Sequence, residues 1–254
     1  MKPRLQERFA KLRDKVSDRY FEFRPHIGSL PIAGCPLRFF YGTRQAADWY
    51  DPLRAHNRAE FEWVAAHVGG HREKIIDAGA FHGLYTLVFA KSIDPAGEVV
   101  AVDPVPSNCA LIEVNLALNG ARARIEQCAV SAADGEVRFS ADSCGQIVGD
   151  GGTVVRGRRL ASLLPDATVV KLDIEGAEFG VLPAQIDELP AVHTWIVEIH
   201  PAQGRDGRSI LRAFTERGFG LWWVDRSRAD VEPFDADRPW TTRTSMIALR
   251  TRPA

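Results

Sequence analysis

Residues 74–90 read KIIDAGAFHGLYTLVFA, and this stretch decides the fold of the chain. Two isoleucines lead into Asp77, Gly79 and Gly83 then frame a short turn, and apolar residues follow at helical spacing. The pattern predicts a strand, a glycine turn and a helix. Glycine suits such a turn because it adopts positive φ at no cost and lets a ligand approach the backbone without a Cβ in the way.

The spacing of the turn is Asp-x-Gly-x-x-x-Gly. A dinucleotide site has Gly-x-Gly-x-x-Gly instead, in which the second glycine makes room for a pyrophosphate at a helix N-terminus. A ligand without phosphates therefore fits better, and S-adenosylmethionine, with its amino-acid tail over the turn, is the candidate. The alternative is an ordinary tight connection between a strand and a helix.

Length, composition and charge set the outer bounds. With 254 residues and 45% hydrophobic content the chain can bury a sizeable core, and α/β folds of this size commonly form one domain. We expect an N-terminal helical or irregular extension over residues 1–56 and one domain over residues 57–254. The formal net charge is -1 and the pI about 6.7, so no basic field argues for nucleic acid as a partner.

The cysteines and the apolar runs bear on the compartment. Four cysteines lie far apart without a Cys-x-x-Cys pair, and they are Cys35, Cys109, Cys128 and Cys144. This spacing suggests neither a zinc site nor a disulfide framework, so reduced thiols are expected. No apolar run approaches the roughly 20 residues of a membrane span, and the N-terminus lacks the apolar core of a signal peptide. A cytoplasmic protein is the expectation.

The segment before the first core strand has its own pattern. Residues 2–19 carry seven basic and three acidic side chains, with apolar residues at helical spacing. We predict an amphipathic helix that packs on its own domain, with binding to an anionic membrane as the alternative. The next stretch is expected to lack regular structure before a short strand at residues 37–41, because of Pro25, Pro31, Gly34 and Pro36.

Strands and helices alternate along the rest of the chain. Buried strands are predicted at residues 98–103, 168–173 and 193–200, short strands at 123–127 and 136–140, and helices at 57–68, 107–118 and 207–217. The last two strands, at residues 219–225 and 245–250, have no helix between them and are expected to pair antiparallel. The alternation predicts a doubly wound α/β sheet with the last strand inserted beside its predecessor.

A glycine-rich stretch interrupts this alternation. Residues 142–159 contain five glycines and little apolar content. We expect a mobile loop over the active face. A phosphate cradle is the alternative, but no Gly-Lys-Ser or Gly-Lys-Thr follows.

An acidic residue, Asp103, ends the strand after the glycine turn. A carboxylate at this place can accept hydrogen bonds from two ribose hydroxyls. It can equally cap the next helix together with Ser107, so both roles remain open from the residues alone. That helix is expected to end at Asn119-Gly120.

Several runs together carry a family resemblance. These are IIDAGAFHGLYTL, AVDP, VNLALNG, CAVS and, above all, VVKLDIEGAEFGVL. Over about residues 60–250 the chain resembles the FkbM-type family of S-adenosylmethionine-dependent methyltransferases. The resemblance implies a Rossmann-like class I methyltransferase fold, with a seven-stranded mostly parallel sheet, an antiparallel last strand and helices on both faces. It also implies O-methylation of a hydroxyl on a sugar or secondary metabolite.

The resemblance also implies a cofactor site. By position, Asp77, Gly79 and Gly83 would hold the methionine moiety and Asp103 the ribose. Cys128 and Ala129 would flank the adenine. The remaining residues implied for this site are Ala80, Phe81, His82, Pro104, Asn108 and Asp173. The chain departs from the family pattern at Phe81-His82, where Asn-Ile is usual, and at Asp103, where Glu is usual.

Candidate catalytic residues follow the ends of two predicted strands that this fold makes neighbours. They are Asp173, Glu175, Glu198 and His200. Ligands bind at the carboxyl ends of such strands, and a neutral imidazole at pH 7 is a suitable base. We therefore favour a metal-free proton relay, although a hard divalent ion such as Mg²⁺ is compatible with two carboxylates and an imidazole. Hydrogen bonding of His200 to the next loop, and attraction of Glu175 and Glu178 to a helix N-terminus, are the structural alternatives.

The acceptor and other partners are less defined. We expect a small-molecule hydroxylated acceptor, no nucleic acid and no membrane span, and a homo-oligomer is compatible with the sequence. Three tryptophans could stack on a ring, although at least one of the adjacent pair is expected in the core: Trp222, Trp223 and Trp240. The rival functions are an N-methyltransferase, a catalytically silent binding protein of the same fold, and a dehydrogenase that the glycine spacing disfavours.

Overall fold

The computed structural model describes residues 23–32, 34–50, 55–140, 145–200, 207–225, 230–234 and 244–250. The helix predicted at residues 2–19, Cys144 and Trp240 lie outside these ranges. In chain order the elements are β1 (His26–Ile32), β2 (Cys35–Tyr41), α1 (Arg44–Trp49), α2 (Ala55–Val68), β3 (Lys74–Ala78), α3 (Leu84–Ser92), β4 (Glu98–Val102), α4 (Pro106–Leu118), β5 (Arg124–Glu126), β6 (Ala129–Val130), β7 (Gly135–Ser140), β8 (Gln146–Val148), β9 (Thr153–Arg158), α5 (Leu160–Leu163), β10 (Val169–Leu172), α6 (Glu178–Gln185), β11 (Thr194–Ile199), α7 (Arg208–Thr215), β12 (Gly220–Asp225), β13 (Asp230–Pro233) and β14 (Thr244–Leu249).

The central sheet has the order β13-β12-β14-β11-β10-β3-β4-β5. Neighbouring strands from β11 through β10, β3 and β4 to β5 pair in parallel. Strand β14 is inserted antiparallel between β11 and β12, as expected for the last strand. The predicted fold is confirmed, and one further strand, β13, pairs with β12 at the sheet edge.

Both faces of the central strands are buried. Ile75 and Val169 belong to one hydrophobic cluster, whereas Ile76 and Val170 belong to another, because successive side chains of a strand point to opposite faces. All four are 0% exposed. The continuous apolar runs in the sequence thus reflect a parallel sheet covered on both sides. Within the described part of the chain, no helix is both long enough and apolar enough to cross a bilayer.

A second sheet of four strands, in the order β6-β9-β7-β8, corrects the prediction for the glycine-rich stretch. The prediction that residues 142–159 form a loop is wrong, because this range contains β8 and β9, although Gly145 and Ile147 do line the cavity described below. Its mobility stays a prediction. Strand β9 reads TVVRGR and pairs antiparallel with β7, so its β-branched residues outweigh its one glycine. Gly151 and Gly152 have φ of 75° and 67° in the connection before β9, where glycine permits a sharp turn.

The N-terminal hairpin of β1 and β2 is a further correction. Pro31 and Pro36 were expected to interrupt regular structure, yet they lie opposite each other in this antiparallel pair. The two-stranded sheet tolerates them because proline lacks only an N–H, which no third strand requires here. Phe39 is 0% exposed in the same cluster as Leu84 and Leu87 of α3, so the hairpin packs on the core of the central sheet.

Two asparagines of α4 attach this hairpin. Asn115 is completely buried, and its Oδ1 accepts a hydrogen bond from the Phe40 N–H at 2.7 Å while its Nδ2 donates to the His82 carbonyl at 2.8 Å. Asn119, the C-cap residue of α4, accepts from the Arg38 N–H and donates to the Arg38 carbonyl, at 2.8 and 2.7 Å. One helix therefore joins β2 to the glycine turn.

We predict that Asn115→Ala lowers the free energy of unfolding by about 1–3 kcal/mol, because it leaves the partly buried Phe40 N–H and the buried His82 carbonyl without this partner. Asn119→Ala is the matched control, since water can reach the hydrogen bonds of this half-buried side chain, and it should cost about 0.5–1.5 kcal/mol. Urea unfolding followed by circular dichroism measures both. Equal costs for the two variants would show that Asn115 does not secure the hairpin.

Candidate functional site

A cavity of about 280 Å³ lies where β3, β4, β10 and β11 end. In an open α/β sheet this is the edge at which ligands bind. One part of the wall follows β3 and β4 and includes Gly79, Asp103, Pro104, Asn108, Cys128 and Ala129. Another part carries carboxylates and aromatic rings, and it includes Trp49, Tyr50, Glu60, Phe61, Tyr85, Asp173, Glu175 and Glu198.

The glycine turn lies directly against the end of β10. Gly79 has φ of 75°, and a Cβ at this position would come within 1.7 Å of the Asp173 carbonyl oxygen. Its N–H donates to the Val102 carbonyl of β4 at 2.9 Å, so the turn touches both neighbouring strand ends. Gly83 has φ of 81° at the start of α3. Both glycines are therefore required by the backbone itself.

Asp103 connects this turn to helix α4. Its Oδ2 accepts from the Phe81 N–H at 2.9 Å, and its Oδ1 accepts from the Val105 N–H at 2.9 Å and from Asn108 Nδ2 at 3.1 Å. Burial raises its pKa to about 6 even though these three hydrogen bonds lower it. Asp103 thus orders the start of α4 and also lines the cavity, while its contact with ribose stays a prediction.

Behind the wall lies a buried ion pair that the sequence did not reveal. Lys171 is 4% exposed, and its Nζ is 3.3 Å from Asp173 Oδ2 and 3.9 Å from Asp77 Oδ1. Its ammonium also lies 4.8 Å from the ring centroid of Tyr85. Burial would lower the pKa of Lys171, but Asp173, Asp77 and Glu198 outweigh it and raise the pKa. A charged lysine therefore stands beside both acidic strand ends.

Asp77 is completely buried and does not line the cavity. Its Oδ2 accepts a hydrogen bond from the Thr86 hydroxyl at 2.5 Å. Burial raises its pKa, although Lys171 and Thr86 act in the opposite direction. Asp77 consequently contacts the first turn of α3 and not the cavity.

The imidazole of His200 lies among three carboxylates. Its Nδ1 is 3.1 Å from Glu178 Oε1, and its Nε2 is 3.3 Å from Glu175 Oε2 and 3.8 Å from Asp173 Oδ1. Burial would lower the pKa of His200, but the hydrogen bond and the charge of Glu178, followed by the charges of Asp173 and Glu175, raise it. A neutral imidazole base was expected here, whereas the surrounding carboxylates raise the pKa of this ring above its ordinary value.

Glu178 fixes the geometry of this cluster. Its side chain is completely buried and accepts hydrogen bonds from the backbone N–H groups of Ile174 and Gly176, at 3.0 and 2.8 Å. These bonds hold the turn that carries Glu175, a non-glycine residue with φ of 53°. The sequence assigned Glu178 to a helix N-terminus, and it does stand in the first turn of α6.

The structure brings the four candidate catalytic residues to one region, although in two groups. Donor atoms of Asp173, Glu175 and His200 all lie within 4.8 Å of one another. Glu198 lies outside that group but lines the cavity together with Asp173 and Glu175. His200 stands behind them and reaches the cavity through these carboxylates.

Not all predicted cofactor residues face the cavity. Gly79, Phe81, Asp103, Pro104, Asn108, Cys128, Ala129 and Asp173 line it. In contrast with expectation, Ala80, His82 and Gly83 do not, because the turn directs them into the protein. His82 is 1% exposed and stacks on Phe81 with ring centroids 3.9 Å apart, and burial lowers its pKa to about 4. Among the described residues, the thiols of Cys109 and Cys128 are unpaired and buried.

The aromatic wall was missed by sequence reasoning. Trp49 and Tyr50 come from the end of α1, within the predicted extension, and Trp49 lies 4.9 Å from the Phe81 ring centroid. The pair Trp-Tyr in the sequence was the available clue. Two of the tryptophans proposed for stacking do not line the cavity. Trp223 is 4% exposed in the core, as foreseen for one of the pair, and Trp222 packs partly buried against the cluster that contains Phe39.

Comparison with known proteins supports the fold and gives the family. The T. thermophilus 16S rRNA N2 methyltransferase, solved with AdoMet and guanosine, matches with TM-score 0.50 and 13% identity, over 91% of this chain and 52% of that one. The SAM-dependent methyltransferase from Agrobacterium tumefaciens matches with TM-score 0.50 and 14% identity, over 90% of this chain and 71% of that one. At these identities the likeness concerns the fold alone. A comparison with curated protein sequences gives no match.

A sequence model of one family fits the chain directly. The model described as Methyltransferase FkbM domain matches residues 77–221, which is more than half of the chain. The match begins at the aspartate before the glycine turn and ends in β12, so it contains the cavity edge of the sheet. The chain therefore belongs to the FkbM-type family of S-adenosylmethionine-dependent methyltransferases.

Proposed function

We propose that this methyltransferase transfers a methyl group from S-adenosylmethionine to a hydroxyl oxygen of a small acceptor, a sugar or a secondary metabolite. The observation that carries this proposal is one cavity, in which the glycine turn and Asp103 adjoin a wall of carboxylates and aromatic rings. A cofactor beside the glycine turn and Asp103 and an acceptor beside the carboxylates and aromatic rings would meet inside this one cavity.

The residues around the glycine turn and Asp103 fit the cofactor. Asp103 has an oxygen pair at the wall, and three neighbouring donors hold it in place. Carboxylate oxygens accept the hydrogen bonds of ribose hydroxyls. Cys128, Ala129 and Val102 supply small apolar surface suited to a purine ring. Gly79 would bring the backbone against the amino-acid tail.

The wall of carboxylates and aromatic rings fits a small polar ring. Trp49, Tyr50, Phe61 and Tyr85 present aromatic faces and edges of the type that pack against sugar or polycyclic rings. Among the described residues that line the cavity, no lysine or arginine occurs, whereas five carboxylates do. Together with the net charge of -1, this favours a small acceptor over a nucleic acid.

The chemistry requires alignment and removal of one proton. When bound, S-adenosylmethionine supplies an electrophilic methyl group on its sulfonium. The chain must hold the acceptor oxygen in line with that methyl and receive the hydroxyl proton. We assign the proton to the carboxylate of Glu198, which lines the cavity at the end of β11, and we assign orientation of the hydroxyl to Asp173, Glu175 and His200.

The direct test incubates the protein with S-adenosylmethionine and a panel of sugars, glycosides and polyketide or phenolic alcohols. Mass spectrometry should find a product heavier by one methylene unit, with the methyl on oxygen by NMR. RNA and amine acceptors are tested in the same way. Methylation of RNA or of amines, with no hydroxylated small molecule accepted, would contradict the proposed acceptor class.

Cofactor affinity should depend on the ionisation of Asp103. Because the pKa of this carboxyl is raised to about 6, it is ionised above that pH and protonated below it. Protonation removes hydrogen-bond acceptor capacity, so calorimetry should find constant affinity for S-adenosylhomocysteine above pH 6 and a decline below it.

Asp103→Asn tests the same assignment. It should weaken S-adenosylhomocysteine binding by about 1.5–3 kcal/mol through loss of charged hydrogen bonds, and it should abolish the decline in affinity below pH 6. Glu113→Gln, an exposed change on α4, is the matched control and should leave binding unchanged. An unaltered pH profile in Asp103→Asn would remove Asp103 from the cofactor site.

Glu198→Gln should lower kcat by about 100-fold or more, as is typical of a lost general base. The affinity for S-adenosylhomocysteine should stay near that of the wild type, because Glu198 belongs to the acceptor side. Turnover kinetics with an accepted substrate and calorimetry measure the two quantities. Near-normal kcat would show that another group receives the proton.

A further inference from the structure

Three donor atoms at the ends of β10 and β11 lie close enough together to share one metal ion after small side-chain movements. Metal–ligand bonds of 2.0–2.2 Å place neighbouring donors about 3.0–3.5 Å apart. His200 Nε2 lies 3.3 Å from Glu175 Oε2 and 3.8 Å from Asp173 Oδ1, and all three donors fall within 4.8 Å. Small side-chain rotations would therefore give each donor a bond to one ion.

The imidazole is oriented as a metal ligand is. A ligating histidine almost always gives its other ring nitrogen to a carboxylate, which fixes the ring and raises its basicity. Here His200 Nδ1 is 3.1 Å from Glu178 Oε1, and Glu178 is 0% exposed. The opposite nitrogen, Nε2, is inaccessible to solvent and has no hydrogen-bond partner within the described part of the chain. It points at the two carboxylates.

The carboxylate of Glu178 also fixes the turn that carries Glu175. Glu178 accepts the N–H groups of Ile174 and Gly176, on either side of Glu175. One buried side chain thus sets the positions of His200 and Glu175, while Lys171 contacts the other oxygen of Asp173, Oδ2, at 3.3 Å. His200 and Asp173 are thus held through atoms other than those facing the cluster, and the backbone on both sides of Glu175 is fixed.

We propose that Asp173, Glu175 and His200 bind a divalent transition-metal ion such as Mn²⁺ at the wall of the cavity. The imidazole suits a transition metal such as Zn²⁺, and the two carboxylates also suit Mn²⁺, whereas the hard ions Mg²⁺ and Ca²⁺ are bound mainly by oxygen ligands. Asp173 and Glu175 line the cavity, so the remaining coordination positions face the space for the acceptor.

The ion completes the chemistry of the proposed function, on which this part of the inference rests. An alcohol holds its proton far more tightly than Glu198 does, so the carboxylate alone is a weak acceptor for it. A metal-bound hydroxyl is more acidic, as metal-bound water is. The ion would polarise the acceptor oxygen, its proton would pass to Glu198, and the oxygen would form a bond to the methyl carbon as the carbon–sulfur bond breaks.

The test uses the full chain after dialysis against a chelator. Titration with Mn²⁺, followed by electron paramagnetic resonance of the free ion, should give one site per chain, with Zn²⁺ as competitor. Asp173→Asn and His200→Gln should weaken binding at least 10-fold. Glu178→Gln should weaken it about 10–100-fold although Glu178 is not a ligand, as outer partners of metal ligands do. Asp187→Asn is the control, because this exposed carboxylate pairs with Arg217, and it should leave Mn²⁺ binding unchanged.

The change of Tm on adding Mn²⁺ separates loss of metal binding from a folding defect. Mn²⁺ should raise the Tm of the wild type and of Asp187→Asn, and should not raise the Tm of Asp173→Asn, since binding to the native state stabilises it. Absence of saturable Mn²⁺ or Zn²⁺ binding by the wild type overturns the site. Binding of Mn²⁺ without methylation of any hydroxylated acceptor removes the proposed function and leaves the metal site standing. Methylation of a hydroxylated acceptor by the chelated enzyme, with no metal binding, removes the metal site and leaves the proposed function standing.

Discussion

The charge of Lys171 between Asp77 and Asp173 is the interaction on which the rest of the site depends. Strands β3 and β10 place these residues side by side, with Lys171 and Asp77 in register. Burying two carboxylates and an ammonium costs desolvation free energy, which their mutual attraction must offset. Removing the lysine would leave negative charge buried beside Glu198 as well, since Glu198 contributes to the raised pKa of Lys171. The cation thus makes an acidic cavity edge compatible with a packed core.

From this ion pair the architecture extends in two directions. Toward β4, the glycine turn passes against the Asp173 carbonyl and then reaches Asp103 through the Phe81 N–H. Toward β11, Asp173 adjoins the cluster of Glu175, Glu178 and His200. Both groups of side chains therefore share one structural element, the end of β10, so a shift of that strand end would move them together.

Much of the fold could be predicted from sequence because its causes are local. Continuous apolar runs identified the central strands, and glycine spacing identified the turn. The role of Lys171 could not be predicted, because its partner Asp77 is distant in sequence and adjacent only through strand register. The hairpin prolines and β9 were misread for a related reason: pairing with a partner strand outweighed local composition. Trp49 and Tyr50 were overlooked because their role depends on how α1 packs against the turn.

The strands at the two ends of the central sheet are short, and this has a consequence for behaviour in concentrated solution. Strand β5 has three residues and β13 has four, with Pro233 in the latter. An open edge offers unpaired N–H and carbonyl groups to another chain, whereas brevity and proline restrict such pairing. The buried apolar strands between them would be strongly aggregation-prone if exposed. The sheet therefore has its most aggregation-prone strands at its centre, and its short edge strands are poorly suited to pair with a strand of another molecule.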